Sequence, residues 1–165
     1  MLLKSHTRQN FVRALTLSSL VAGGFGISTN SASAGMCPAN KVTTDGQKPG
    51  PGAHKGVADT VIASIDLALE APMLKEHKFR LRRLVIQPGG VVAWHSHAER
   101  PAIIYVVSGS INEYASTCAV PIVHKAGEVA PETHATQHWW KNKTSKPVVL
   151  LSTDILHDKM DPHTM

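Results

Sequence analysis

The stretch that decides the fold runs from Gly89 to His97 and reads GGVVAWHSH. A glycine pair opens it, two valines follow, and His95 and His97 close it two positions apart. Side chains two residues apart on a β-strand face the same side, so both imidazoles can turn toward one metal ion. A second stretch, residues 127–142, carries His138 as a third candidate ligand. The two stretches predict a metal site that draws on distant parts of the chain.

The pattern around these stretches is that of an all-β protein. Short segments rich in β-branched residues alternate with turn residues at a spacing of about ten positions, which is typical of a sandwich or barrel. The strands predicted in this way cover residues 57–67, 79–86, 91–97, 102–108, 111–116, 120–124, 129–130, 134–140 and 148–155. Pro88, Gly89 and Gly90 are expected to end the second of them. A short helix is an option at residues 68–76, limited by Pro72.

The two histidine stretches resemble the motifs of the cupin family, whose members are small jelly-roll β-barrels. The residues at the spacing of the two motifs are Gly89, His95, His97 and Gly109 in the first, and Gly127, His138 and Asn142 in the second. The resemblance covers about residues 79–155 and implies a cupin barrel. It also implies one divalent transition-metal ion (Fe, Zn, Ni, Cu or Mn) held by His95, His97 and His138.

The sequence departs from the family pattern at the position of the glutamate ligand, which is Ala102. Glu99 lies nearby and shares the strand parity of His95 and His97, so it is the candidate fourth ligand. The alternative is a loop carboxylate that pairs with Arg100 or with solvent. Without a fourth ligand, three histidines leave positions open for water or substrate.

The remaining histidines have less informative positions. His134 lies four residues before His138, and a turn or pocket-lining role is favoured over ligation. We treat the others as surface residues because no ligand lies at a suitable spacing: His54, His77, His124, His157 and His163.

Strand parity also predicts which neighbours of the site face inward. If position 102 faces inward, Ile104 and Val106 do so too, and Tyr105 faces out. If His138 faces inward, so does Trp140, while Trp139 faces out. These apolar side chains form either the wall of a small-molecule pocket or the barrel core. Asn142 is expected to close the turn after its strand.

The first 34 residues are typical of an export signal. Lys4, Arg8 and Arg13 precede a mildly apolar stretch, and the small residues Ala32, Ser33 and Ala34 supply a cleavage site. Residues 7–13 resemble a twin-arginine motif with Gln9 in place of the second arginine, so both that route and the general secretory route stay open. The predicted organisation is a signal peptide (1–34), a flexible arm (35–56), a barrel (57–155) and a loose tail (156–165).

The expected compartment and the amino-acid composition limit the classes of partner that we expect. Export predicts a periplasmic or secreted protein, where Cys37 and Cys118 either form a disulfide or stay free. The chain has 17 basic and 12 acidic residues, but three of the basic ones belong to the leader. No basic run remains afterwards, which argues against a nucleic-acid partner, and no membrane contact is expected after cleavage. A homodimer is one expectation for the assembly.

Three functions are consistent with these features. The first is a metal-dependent enzyme, such as an oxygenase or isomerase, acting on a small organic molecule. The second is a non-catalytic cupin that binds a small ligand or a metal. The third is a partner-binding domain. Glu99, Glu113, His124 and Glu132 are acid–base candidates for which the sequence offers no geometry.

Overall fold

The computed structural model describes residues 35–158. The predicted signal segment (1–34), its export route and His163 lie outside the described residues. The strands are β1 (Lys55–Asp66), β2 (His77–Ser96), β3 (Ala102–Ser108), β4 (Ser110–Ala115), β5 (Ile122–Lys125), β6 (Val129–Glu132), β7 (Gln137–Lys141) and β8 (Val148–His157). Two single 3-10 turns accompany them, at Ala39–Lys41 and Pro72–Leu74. Among these residues no helix has the length and apolarity needed to cross a membrane.

All neighbouring strands are antiparallel, in the order β5-β4-β7-β2-β8-β3-β6, and β1 pairs with β2. The sheet curls into a nearly closed barrel, so the predicted all-β cupin fold is confirmed. Alternate residues of each strand face the interior, as the pattern of β8 shows over its whole length. The interior carries one apolar core of Leu84, Ile86, Val92, Ile104, Val106, Ile111, Ala130, Trp140, Val148 and Leu150.

The break predicted at residues 88–90 does not occur. β2 continues through it for 20 residues, pairing with β8 in its first half and with β7 in its second. Gly89 takes a positive φ of 71°, which turns the strand at the corner without reversing it. Asn142 bonds across this corner: Gly89 N–H donates to its carbonyl, and its own N–H donates to Gly90 O.

The helix expected at residues 68–76 is reduced to the 3-10 turn at Pro72–Leu74. The tail begins later than expected, because β8 extends to His157 and buries Leu156.

The segment before the barrel, expected to be a flexible arm, lies against β4 and the loop that follows it. Cys37 and Cys118 form a disulfide with Cα atoms 5.6 Å apart. Val42 makes a β-bridge to Cys118, and Gln47 N–H donates to Ala115 O at 3.0 Å. We refer to residues 35–54 as the N-terminal segment.

Candidate metal centre

Three histidines converge inside the barrel. His95 in β2 lies directly opposite His138 in β7, and His97 follows the last residue of β2. The backbone N–H of His97 donates to Thr136 O at 2.9 Å, which continues the pairing past the end of the strand. The three Nε2 atoms lie 3.0 Å from one another.

The hydrogen-bond partner of each Nδ1 atom determines whether the proton of that ring is on Nδ1 or on Nε2. His95 Nδ1 lies 2.8 Å from Ala93 O, and His97 Nδ1 lies 2.7 Å from Arg100 O. A carbonyl oxygen only accepts, so Nδ1 of each neutral ring carries the proton and donates it. His138 Nδ1 donates in the same way to Glu113 Oε1 at 2.7 Å. All three Nε2 atoms are therefore unprotonated and point at one another, and the Trp140 indole N–H also approaches one of them, His138 Nε2, at 3.4 Å.

This donor set fits a transition-metal ion. Histidine nitrogens bind such ions at about 2.1 Å, and two ligands at right angles around one ion are then about 3.0 Å apart. Imidazole suits iron, nickel, copper and zinc better than calcium or magnesium. Each ligand ring is also fixed by a hydrogen bond from its other nitrogen, as is usual for metal-binding histidines.

Two of the three imidazoles, those of His95 and His97, resist protonation. Burial and the neighbouring His138 ring lower the pKa of His97 to about 3. The same causes lower the pKa of His95 further below its ordinary value. The neutral, ligating form of both rings is therefore the stable one at neutral pH.

A group of buried polar residues supports His138 from behind. Glu113 accepts from His138 on one oxygen and from His124 Nε2 on the other, at 2.8 Å. Burial raises the pKa of Glu113, but these two hydrogen bonds outweigh it and lower the pKa to about 2. Glu132 Oε2 lies 3.5 Å from His138 Nδ1, and burial together with the Glu113 carboxylate raises the pKa of Glu132.

Two of the histidines expected at the surface are not there. His124 is fully buried, because it alternates with Ile122 on the inner face of β5 and stacks on Trp140. His54 accepts a hydrogen bond from the Ala93 N–H at 3.2 Å and lines the cavity in front of the three ligands. The partly exposed pair His77 and His157 meets edge to face at the start of β2.

The structure brings together three of the four predicted ligands. Glu99 is exposed on the bend after β2, where strand parity no longer applies, and it is not among the converging side chains. His134 is exposed in the turn before β7. The inward positions predicted by parity are confirmed: Ile104, Val106 and Trp140 are buried, and Tyr105 faces out.

An arginine-rich wall faces the histidines across the cavity. Arg80 forms a bidentate ion pair with Asp154, at 2.7 and 2.9 Å, and Arg82 contacts Asp59 at 2.6 Å and Asp154 at 3.2 Å. Arg100 approaches Asp154 at 3.8 Å. Three guanidinium groups therefore face two carboxylates, and burial raises the pKa of one of these, Asp59.

The cavity between this wall and the histidines has a volume of about 40 Å³. Residues that line it carry buried polar atoms with no hydrogen-bond partner among the described residues, among them Arg82 Nε, Ser152 Oγ and Asp59 Oδ1. Buried polar groups are normally satisfied, so unpartnered donors and acceptors beside a cavity indicate a polar ligand.

Sequence reasoning missed this wall, assigned no place to Glu113 or Glu132, and wrongly put His124 at the surface. One signal was available. Arg80 and Arg82 have the parity of Leu84 and Ile86, which are core residues, and Ser152 and Asp154 have the parity of Leu150. Charged residues in phase with a core face are candidates for a buried network.

A comparison with protein families identifies one match. Residues 82–154 match the family model described as a cupin domain (Cupin_2). No curated protein matches the chain by sequence.

Solved structures share the fold. A predicted oxalate decarboxylase from Thermotoga maritima is 19% identical, with a TM-score of 0.52, over 73% of this chain and 98% of that chain. The Cupin_2 domain of an XRE family transcriptional regulator from Enterobacter cloacae is 15% identical, with a TM-score of 0.46, over 61% and 96%. KdgF from Halomonas sp. is 16% identical, with a TM-score of 0.48, over 66% and 91%. Likeness at this identity concerns the fold alone.

Proposed function

We propose that this chain, which has a cupin fold and matches the cupin family model at residues 82–154, is an exported metal-dependent enzyme that acts on a small organic acid. The observation that supports a bound metal is the convergence of three unprotonated Nε2 atoms 3.0 Å apart. Lone pairs this close repel one another unless a cation lies between them. When bound, the ion supplies a Lewis acid that polarises an oxygen of the substrate.

The residues that line the cavity favour a ligand that carries a carboxylate group. Arg82 is buried and offers an unpartnered Nε–H, and the fully buried Ser152 offers a hydroxyl. Hydrogen bonds from a guanidinium and a hydroxyl are the usual partners of a carboxylate. The cavity of about 40 Å³ holds roughly three water molecules, so a ligand of two to four carbons fits best.

Asp59 supports proton-transfer chemistry such as isomerisation. Its Oδ2 is 2.6 Å from Arg82, while Oδ1 is unpartnered and its residue lines the cavity. Burial raises the pKa of Asp59 above its ordinary value, which favours a group that holds a proton and returns it. In the proposed reaction, Arg82 and Ser152 orient the acid and Asp59 exchanges a proton with it.

The proposal is tested with the exported protein and a panel of two- to four-carbon mono- and dicarboxylates. Metal content is measured first, then binding by calorimetry, then exchange of ligand C–H for deuterium in D₂O. Ser152→Ala is expected to weaken binding about 5-fold, the value of roughly 1 kcal/mol for one hydrogen bond. Thr153→Ala, the next residue on the opposite face of β8, serves as the matched control.

Asp59→Asn separates an enzyme from a binding protein. It is expected to retain metal and carboxylate binding and to abolish exchange. Carboxylate binding with no exchange or turnover in the wild type favours the non-catalytic alternative. A metal-free protein with no carboxylate affinity contradicts both functions. Oxygen uptake with a bound acid would favour an oxygenase instead.

A further inference from the structure

A second cavity lies behind His138, under the N-terminal segment. Its volume is about 290 Å³. Met36, Cys37 and Val42 form one side of it, and the barrel residues Ile122 and Ala130 belong to the other. It is separate from the cavity in front of the metal ligands. Its walls are apolar except for a few groups, which include the carboxyl groups of Glu113 and Glu132.

Two buried acceptors lack a hydrogen-bond donor here, one lining this cavity and the other beside Gly35, which lines it. Glu132 is 3% exposed and lines the cavity, and its Oε1 has no partner among the described residues. His124 is fully buried and its Nδ1 is also unpartnered. Since His124 donates through Nε2 to Glu113, its Nδ1 is an acceptor in the neutral ring. Leaving such atoms unsatisfied is costly.

The group that satisfies these acceptors should be a cation with several N–H bonds. Two carboxylates line the cavity, and none of its described lining residues is a lysine or an arginine. A metal ion fits less well, since the Nδ1 proton of His138 already bonds Glu113. An ammonium group donates to acceptors without displacing that proton.

Gly35 lies where such a group is needed. It lines the same cavity, and a Cβ placed on it would come within 2.2 Å of His124 Nδ1. The backbone of Gly35 therefore passes directly against the imidazole ring, at a distance that only glycine permits. The disulfide of Cys37, two residues later, holds this end of the chain against the barrel. The sequence independently predicts cleavage immediately before Gly35.

We propose that the α-ammonium group of Gly35, released by cleavage after Ala34, occupies this cavity and pairs with Glu132 and His124. Hydrolysis of the Ala34–Gly35 peptide bond consumes one water. It leaves a carboxylate on the departing segment and the ammonium on Gly35. The ammonium fixes Glu132 beside Glu113, and Glu113 fixes the His138 ring. Export processing thus completes the support of a metal ligand, whichever reaction the metal centre performs.

The proposal is tested on protein exported and processed by the cell. The first measurement is the intact mass, which is expected to identify Gly35 as the first residue. The folded protein is then exposed briefly to a water-soluble acetylating reagent, and peptides are analysed by mass spectrometry. The α-amine is expected to react at least ~10-fold more slowly than in urea, because it must leave its site before reacting. The exposed Lys41 and Lys75 serve as internal references.

Two variants identify the partner of the amine. Glu132→Gln removes the carboxyl group that pairs with the ammonium, and it is expected to make the amine react as fast in the folded protein as in urea. Gly35→Ala keeps a small residue at the cleavage site but places a methyl group against His124, and it is expected to have the same effect. Glu70→Gln, an exposed carboxylate in the loop after β1, is the matched control and leaves the amine protected.

Three results would overturn the proposal. One is a processed chain that starts at another residue. Another is a Gly35 amine that reacts equally fast in the folded and the urea-denatured protein. The third is a second metal ion in the wild type that Glu132→Gln removes, with a reactive Gly35 in both. Metal content at the three histidines is measured in parallel, so failure here is distinct from failure of the proposed function.

Discussion

At the scale of single residues, the orientation of each imidazole is set by one hydrogen bond from Nδ1. The acceptors are two backbone carbonyls for His95 and His97 and a buried carboxylate for His138. Because each acceptor claims the Nδ1 proton, each Nε2 keeps its lone pair for a metal. The structure therefore prepares the three rings for metal binding before any ion arrives.

The most direct prediction concerns His138. His138→Ala removes one of three ligand atoms, so metal content measured by mass spectrometry of the element is expected to fall from about one ion per chain to a small fraction. Loss of a protein ligand is expected to cost more than the 10–100-fold in affinity typical of losing a supporting partner. His134→Ala, four residues earlier in the exposed turn, is the control and should keep its metal.

Glu99→Gln completes this test, since Glu99 lies on the exposed bend and is predicted by the structure to leave metal content unchanged. A clear loss of metal in this variant would restore Glu99 as a ligand. Full occupancy in His138→Ala would reject the centre as described.

The lowered imidazole pKa values predict how the metal-free protein responds to acid. The unfolded chain takes up protons on histidine near pH 6.5, but the folded chain resists because the pKa of His97 is about 3 and that of His95 is lowered as well. Unfolding therefore binds protons as the pH falls from about 6.5, and the free energy of unfolding decreases by about 1.4 kcal/mol per pH unit for each histidine.

Urea denaturation of the metal-free protein between pH 7 and pH 5 measures this slope. His97→Gln removes one of the two groups, so a shallower slope is expected in that variant. Equal slopes in wild type and variant would show that His97 is not held neutral by its surroundings.

At the scale of elements, the sheet corner in β2 decides where the ligands meet. The strand crosses from β8 to β7 at residues 88–90, and only the part beyond the corner carries His95 toward His138. Gly90 sits on the inner side of this corner, where a Cβ would come within 2.7 Å of Gln87 O and 2.8 Å of an Ile86 methyl group.

Gly90→Ala is therefore expected to lower the free energy of unfolding by about 1–3 kcal/mol, the usual cost of forcing extra volume into a packed region. Chemical denaturation measures the change. Gly52→Ala, at a glycine with no atoms within 4 Å of the added Cβ, is the control. If the two variants are equally stable, the corner is not tightly packed.

The elements also show how far the sequence could lead. Strand parity and motif spacing were sufficient for the barrel and for His95, His97 and His138, because local alternation determines which side chains face inward. The corner at Gly89 and Gly90 was misinterpreted, because the same residues end a strand or bend one, and only pairing with β7 and β8 decides. Glu113 was not placed and His124 was wrongly put at the surface, because both join His138 through the packing of β4, β5 and β7, which no local pattern encodes.

At the scale of the whole molecule, the barrel and the N-terminal segment depend on each other. The disulfide joins the segment to the loop after β4, above a small apolar cluster of Ala115, Cys118 and Ile122. This loop connects the strands that carry Glu113 and His124. A disulfide of this kind persists in an oxidising compartment, which agrees with the predicted export. Export and the homodimer both stay predictions.

The final prediction is that the bridge stabilises the fold without contributing to the metal ligands. Cys37 and Cys118 are 81 positions apart, so the bridge closes a long loop in the unfolded chain, and removing it is expected to cost roughly 2–4 kcal/mol of unfolding free energy. The double variant Cys37→Ala/Cys118→Ala should keep its metal, because His95, His97 and His138 are positioned by the pairing of β2 with β7. Its Gly35 amine should lose protection, because the segment is no longer tied to the barrel. Denaturation, metal content and amine reactivity of this variant, beside wild type, measure the three effects. Two free thiols in the unreduced, denatured wild type would show that the bridge does not form.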